Sequence, residues 1–162
     1  MKRIAVWLVL CAGMLLAANG RTAPPPQVPA LKVTTLKGAS FDLAAERGKW
    51  VIVNYWATWC NPCIEEMPAI SAFVAGRRDV TAIGLAFEDT DRKDIEAFLA
   101  AHPVVYPVAQ LDTTHPPKDF GEPLGLPTTY LIAPDGTLAK KFIGPVTVAD
   151  LARAIAAGDA AG

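Results

Sequence analysis

The stretch YWATWCNPCIEEMP, Tyr55–Pro68, sets two cysteines, Cys60 and Cys63, between two kinds of sequence. Before them, WVIVNYW (Trp50–Trp56) is an almost continuous apolar run rich in β-branched and aromatic residues, the pattern of a central strand buried on both faces. After them, Ile64, Met67, Ile70 and Val74 recur at helical spacing, and the stripe ends at Gly76. Pro62 is tolerated at the start of this helix, where the first amides lack partners in any case. Pro68, a turn and a half further in, is expected to kink it. The cysteine pair therefore sits where a buried strand hands over to a helix.

Working outward, the alternation continues. LKVTTLKGASFDL, upstream, reads as a hairpin around Lys37-Gly38. Downstream, VTAIGLAF (Val80–Phe87) is a strand, and TDRKDIEAFLAAH is a helix capped by Thr90 or Asp91, with Ile95, Phe98 and Leu99 on one face. VVYPVA is a short strand, TTYLIA and TLAKKFI flank PDG as a second hairpin, and TVADLARAIAA closes as a helix capped by Thr147 with Asp150 three residues on. Strand–helix–strand units followed by a hairpin and a helix predict an α/β fold, a mixed sheet with helices on both faces.

At 162 residues with 52% hydrophobic composition, the chain suits one domain with a real core. A net charge of −1 and scattered lysines and arginines give no footprint for nucleic acid. Residues 1–20 differ from the rest: Lys2 and Arg3 precede IAVWLVLCAGMLLAA, and Ala18-Asn19-Gly20 follows. This reads as an export signal or, uncleaved, as an amino-terminal membrane anchor. Cys11 is an apolar filler there, since Leu10 stands where lipidation needs a small residue. Residues 21–29, with APPPQVP, read as a stiff linker, and residues 30–162 as the domain. Outside the cytosol disulfides persist, yet the domain has only Cys60 and Cys63, which is no disulfide framework.

Three roles compete for that pair. Zinc needs three or four ligands; one C-x-x-C supplies two, and His102 and His115 stand at no matching spacing. A structural disulfide closing so short a loop removes little unfolded-state entropy. A redox couple has a mechanism: unpaired amides and the dipole at a helix amino end stabilise an anion and lower a thiol pKa from ~8.5 to roughly 3.5–7.5. Cys60 is then the attacking sulfur, and Cys63, one turn on, resolves the mixed disulfide. Neither a metal nor an organic cofactor is called for.

NYWATWCNPCIEEMP together with GLPTTYLIAPDGTLAKKFIG resembles the TlpA/ResA-like family of exported thiol–disulfide oxidoreductases, in order from about Ala30 to the last helix. The resemblance implies a thioredoxin-like fold with an amino-terminal hairpin and an extended central connection, Glu88–Pro123. It makes Cys60 the nucleophile, Cys63 the resolving cysteine and Pro127 a cis proline opposite them. The Leu126 backbone would then pair with an extended substrate strand. Glu66 matches an acidic position beside the pair, where a partly buried carboxylate would raise thiol pKa values or take the Cys63 proton. Glu65 reads only as a helix-start carboxylate. Asn54 stands where ordinary thioredoxins carry a buried aspartate; it cannot accept a proton, leaving Glu66 as the main acid–base candidate and Glu88 as a weaker one.

The expected function is reduction of disulfides in exported partner proteins, with a membrane thiol protein as electron donor. Apocytochrome c or copper-site assembly proteins are the clients the resemblance suggests. The same residues serve a disulfide-forming oxidase, because direction follows from relative potentials. A non-catalytic module carrying metal or a client on the two thiols is the alternative from another class. A peroxidase is disfavoured by the second cysteine and by the absence of the characteristic threonine motif. Trp59 is a candidate contact surface for a partner, Trp56 is core, His102 ends a helix, His115 lies in a loop, and EDTDRKD is a solvated turn and helix start.

Overall fold

Trp50–Trp56 forms the centre of the sheet, and every one of its seven residues is buried. The computed structural model describes residues 27–160; the expected export segment with Cys11 and most of the proline-rich linker lie outside them. The described elements run β1 (Lys32–Thr34), β2 (Ser40–Asp42), a 3-10 turn (Leu43–Glu46), β3 (Trp50–Trp56), α1 (Asn61–Ala75), β4 (Val80–Ala86), α2 (Arg92–Ala101), β5 (Val108–Gln110), β6 (Thr128–Ile132), β7 (Leu138–Ile143) and α3 (Val148–Asp159). β1 and β2 pair as the expected hairpin, and the main sheet has the order β5-β4-β3-β6-β7. β3 runs parallel to β4 and antiparallel to β6, so the sheet is mixed as expected.

The helices depart from the expectation of both faces. Met67 and Ile70 of α1, Ile95 of α2, and Leu151 and Ile155 of α3 all join one cluster with Trp50, Ile52 and Trp56. The β3→β4 and β4→β5 steps move in the same direction across the sheet, and right-handed crossovers then place α1 and α2 on the same face. The odd-numbered face of β3, Val51, Val53 and Tyr55, is covered instead by Leu31, Phe41 and Leu43 near the hairpin and by Leu111 and Phe120 of the central connection. Burying each of these large apolar side chains is worth about 1.5–3 kcal/mol, so both faces contribute.

Local chemistry explains most boundaries. α1 runs from Asn61 to Ala75 without a break through Pro68. Thr147 and Asp150 make the reciprocal capping box that their spacing predicts. Asp91 precedes α2 but makes no side-chain cap. β5 begins later than VVYPVA suggests, because Pro107 has no N–H to give; its carbonyl instead accepts from Gly84 N at 2.9 Å. His102 ends α2, its ring stacked on Phe98. His115 sits in a loop beside Asp112.

The turn between β6 and β7 needs its glycine. Gly136 has φ of +83°, and a Cβ there would land on the Arg47 guanidinium, which donates to the Asp135 carbonyl. A Gly136→Ala substitution is therefore expected to cost about 1–3 kcal/mol. Urea unfolding should show a lower midpoint with an unchanged slope; an unchanged midpoint would refute the steric account.

Candidate active site

Cys60 is the residue capping the amino end of α1, with Asn61 and Pro62 as its first two helical residues. Cys60 and Cys63 are joined as a disulfide with an S–S distance of 2.02 Å. Cys60 is 4% exposed and Cys63 0%, so only the first sulfur lies on a residue that solvent reaches.

The turn before Cys60 is held by a residue from the neighbouring strand. Glu88, just beyond β4, uses both carboxylate oxygens on Thr58: Oε1 accepts from Thr58 N at 2.8 Å and Oε2 from its hydroxyl at 2.9 Å. Expected as a weaker acid–base candidate, Glu88 is by this geometry a holder of the turn. Trp59, between Thr58 and Cys60, projects outward at 67% exposure, whereas Trp56 is buried.

β6 brings the second half of the site. Tyr55 pairs with Thr128, so the residue before Thr128, Pro127, lies at the end of β3 where the chain turns towards Cys60. The Leu126–Pro127 bond is cis, as the resemblance implies. Pro127 is buried and its carbonyl accepts from Gly144 N at 2.8 Å; Leu126 is half-buried and packs against both core clusters.

Glu66 lies one turn after Cys63 on α1, on neighbouring positions of the same helix face. It is buried, in contrast to the exposed Glu65. Its Oε1 accepts from Asn54 Nδ2 at 2.8 Å, and its Oε2 from the Val146 amide at 2.8 Å. Burial pushes the Glu66 carboxyl above its ordinary range, and the hydrogen bonds from Val146 and Asn54 draw it part of the way back. Asn54 Nδ2 also bonds Thr129 Oγ1 at 2.9 Å, so the asparagine found in place of an aspartate anchors the buried acid. Val146 escaped sequence reading because it contributes only a backbone amide. Thr129 lies two residues after Pro127 in the motif but gave no signal of its own.

Similarity to known proteins bears on this geometry. The family model described as AhpC/TSA matches residues 25–141. The chain is 30% identical over 156 residues to the thiol-disulfide oxidoreductase ResA of Bacillus cereus, covering 90% of this chain and 88% of that one. It is 30% identical over 124 residues to the thioredoxin-like protein YneN of Bacillus subtilis, covering 75% and 72%. Among solved structures, a thiol:disulfide interchange protein of the thioredoxin family from Chlorobium tepidum superposes with a TM-score of 0.70 at 27% identity, covering 84% of this chain and 97% of that one.

A C-x-x-C disulfide at the amino end of the helix after the central strand, on this sheet, makes the protein a thioredoxin-fold thiol–disulfide oxidoreductase. The chain belongs to the AhpC/TSA family, among its ResA-like thiol–disulfide oxidoreductases.

The raised carboxyl has a consequence for stability. A Glu66 pKa above its unfolded value contributes stability that is full below about pH 4.5 and is lost as pH rises through the folded value. Glu66→Gln removes that loss. In urea unfolding of the oxidised protein at pH 4 and pH 8, stability should therefore move in favour of the glutamine variant as pH rises; a difference independent of pH would sink this prediction.

Proposed function

We propose that the protein is an exported reductase of disulfides in partner proteins. The reading is carried by one observation: a helix-capping cysteine with slight exposure precedes a fully buried cysteine, and a buried carboxylate follows one turn later. The Cys60 thiolate attacks one sulfur of the partner disulfide, and the other partner sulfur leaves as a thiolate and takes up a proton. Cys63 then gives its proton towards Glu66 and attacks the Cys60 sulfur, expelling the second partner thiolate, which is protonated in turn. The partner gains two electrons and two protons, and the Cys60–Cys63 disulfide remains.

The other site residues fit this sequence. The helix amino end favours the Cys60 thiolate electrostatically. Leu126, before the cis Pro127, offers its backbone to an extended partner segment, and the exposed Trp59 adds apolar contact. The direction follows from Glu66. Its charge opposes a thiolate at the pair, which destabilises the reduced form and makes the couple more reducing.

The leader-like residues 1–20 and the likeness to ResA support an extracytoplasmic, periplasmic location, with the domain either released by signal cleavage or held at the membrane by the uncleaved segment. Among the described residues no helix is long and apolar enough to cross a membrane. Electrons would come from a membrane thiol protein. Apocytochrome c, in cytochrome c biogenesis, and copper-site assembly proteins are the proposed clients.

Equilibration in glutathione buffers, read by tryptophan fluorescence, tests the direction. A potential more negative than about −220 mV is expected, and one near about −120 mV would mark an oxidase and overturn the reading. Glu66→Gln should move the potential in the oxidising direction. Replacing Cys63 by alanine should accumulate a covalent mixed disulfide through Cys60. Loss of client binding without a covalent adduct would instead identify a non-catalytic module.

A further inference from the structure

Three buried polar atoms on the helical face of the sheet have no hydrogen-bond partner among the described residues: Asn54 Oδ1, Trp56 Nε1 and Tyr106 Oη. The residues that carry them meet around Gly84 of β4. Asn54 and Trp56 are two apart on β3 and therefore share a face, and Asn54 pairs laterally with Gly84 of β4. Asn54 Nδ2 donates both to Thr129 Oγ1 on β6 and to Glu66 Oε1, and its carbonyl oxygen is left unpaired. At Gly84 an added Cβ would lie 3.1 Å from Trp56 Nε1 and 3.2 Å from Tyr106 Cε2. Cε2 is bonded to the carbon that bears the hydroxyl. The missing side chain at Gly84 thus lets an indole N–H and a phenol come down onto the sheet beside an unpaired amide oxygen.

Buried polar groups in folded proteins are rarely left unpaired, and an internal water typically makes about three hydrogen bonds to such groups. One donor, Trp56 N–H, one acceptor, Asn54 Oδ1, and a hydroxyl able to do either form a matching set. The site adjoins Glu66, since the same Asn54 side chain binds the carboxylate. Burial raises the Tyr106 phenol, and the Glu66 charge raises it further. We propose that Asn54, Trp56 and Tyr106 form an internal site for one bound water beside Gly84, and that Tyr106, through that water and the Asn54 amide, is a positioning residue for the Glu66 carboxylate.

This rests on the reading of Glu66 as the acid–base group of the exchange. Tyr106 is a titratable neighbour of Glu66; Cys63, on the same helix, is held in the disulfide and does not titrate, and Asn54 and the Val146 amide are neutral. Among the described residues no charged side chain shares an ion pair or hydrogen bond with it. A donor on Asn54 Oδ1 polarises the amide and strengthens its N–H on the Glu66 carboxylate, which favours the charged form, so removing the Tyr106 hydroxyl should tighten the hold on the proton.

The test is a carboxyl-detected NMR titration of Glu66 in the oxidised full chain. Tyr106→Phe should move the Glu66 midpoint upward by about half a pH unit, a roughly threefold tighter hold on the proton. Tyr130→Phe, which loses a hydroxyl bonded to the Phe120 carbonyl on the opposite face, should overlay the wild type. A Tyr106→Phe curve that also overlays it overturns the proposal. A second readout needs no variant: the Trp56 indole proton should show an Overhauser contact to long-lived water, and its absence overturns the hydration site. The pH profile of disulfide exchange separates the two ideas. A shifted Glu66 midpoint with an unmoved rate profile keeps the site and removes Glu66 from the exchange.

Discussion

A carboxylate inside an apolar layer is unfavourable unless its lone pairs are met, and Glu66 meets both oxygens with donors from outside its own helix. One comes from Asn54 in the central strand and the other from the Val146 amide in the loop before α3. The Gly144 amide in that loop in turn bonds the Pro127 carbonyl. A single buried acid therefore ties the cysteine-bearing helix to the sheet and to the loop that steadies Pro127. The group proposed to take the Cys63 proton is also the pin that sets the relative position of the site's three parts. Its chemistry and its structural role cannot be separated by simple deletion.

Topology decides where these parts meet. All three helices pack on one face, so α1 and the start of α3 lie side by side over β3 and Glu66 can bridge them. The opposite face carries no α-helix among the described residues; the hairpin, the 3-10 turn and the central connection cover it with Leu31, Phe41, Leu43 and Phe120. Polar chemistry is gathered on the helical face, and the other face is a largely aromatic and aliphatic support. The tilted stack of Tyr55, Phe87 and Tyr130 belongs to that support.

Two carboxylates near the cysteines end in different roles because their partners differ. Glu88 accepts from the amide and hydroxyl of Thr58 in the turn before Cys60 and lies at the end of a strand. Glu66 lies within the helix, where desolvation outweighs its hydrogen bonds and the proton is held more tightly. Residue type alone does not distinguish them; the surroundings do.

Much of this was legible from the residues. The almost continuous apolar run of Trp50–Trp56 reads as a strand covered on both sides, and the stripe from Ile64 to Val74 as a helix, so the placement of Cys60 at its amino end followed from local pattern. Thr147 and Asp150 announced their capping box by spacing. The side on which helices pack was not legible, because it depends on strand order, and strand order comes from pairings between residues far apart in the chain. The Val146 contact carries no side-chain signature. The sequence by itself determined which residues can do thiol chemistry. Only the tertiary structure decided which carboxylate is desolvated, which is clamped and what surrounds Asn54, since burial and hydrogen bonding are properties of residues brought together from distant strands.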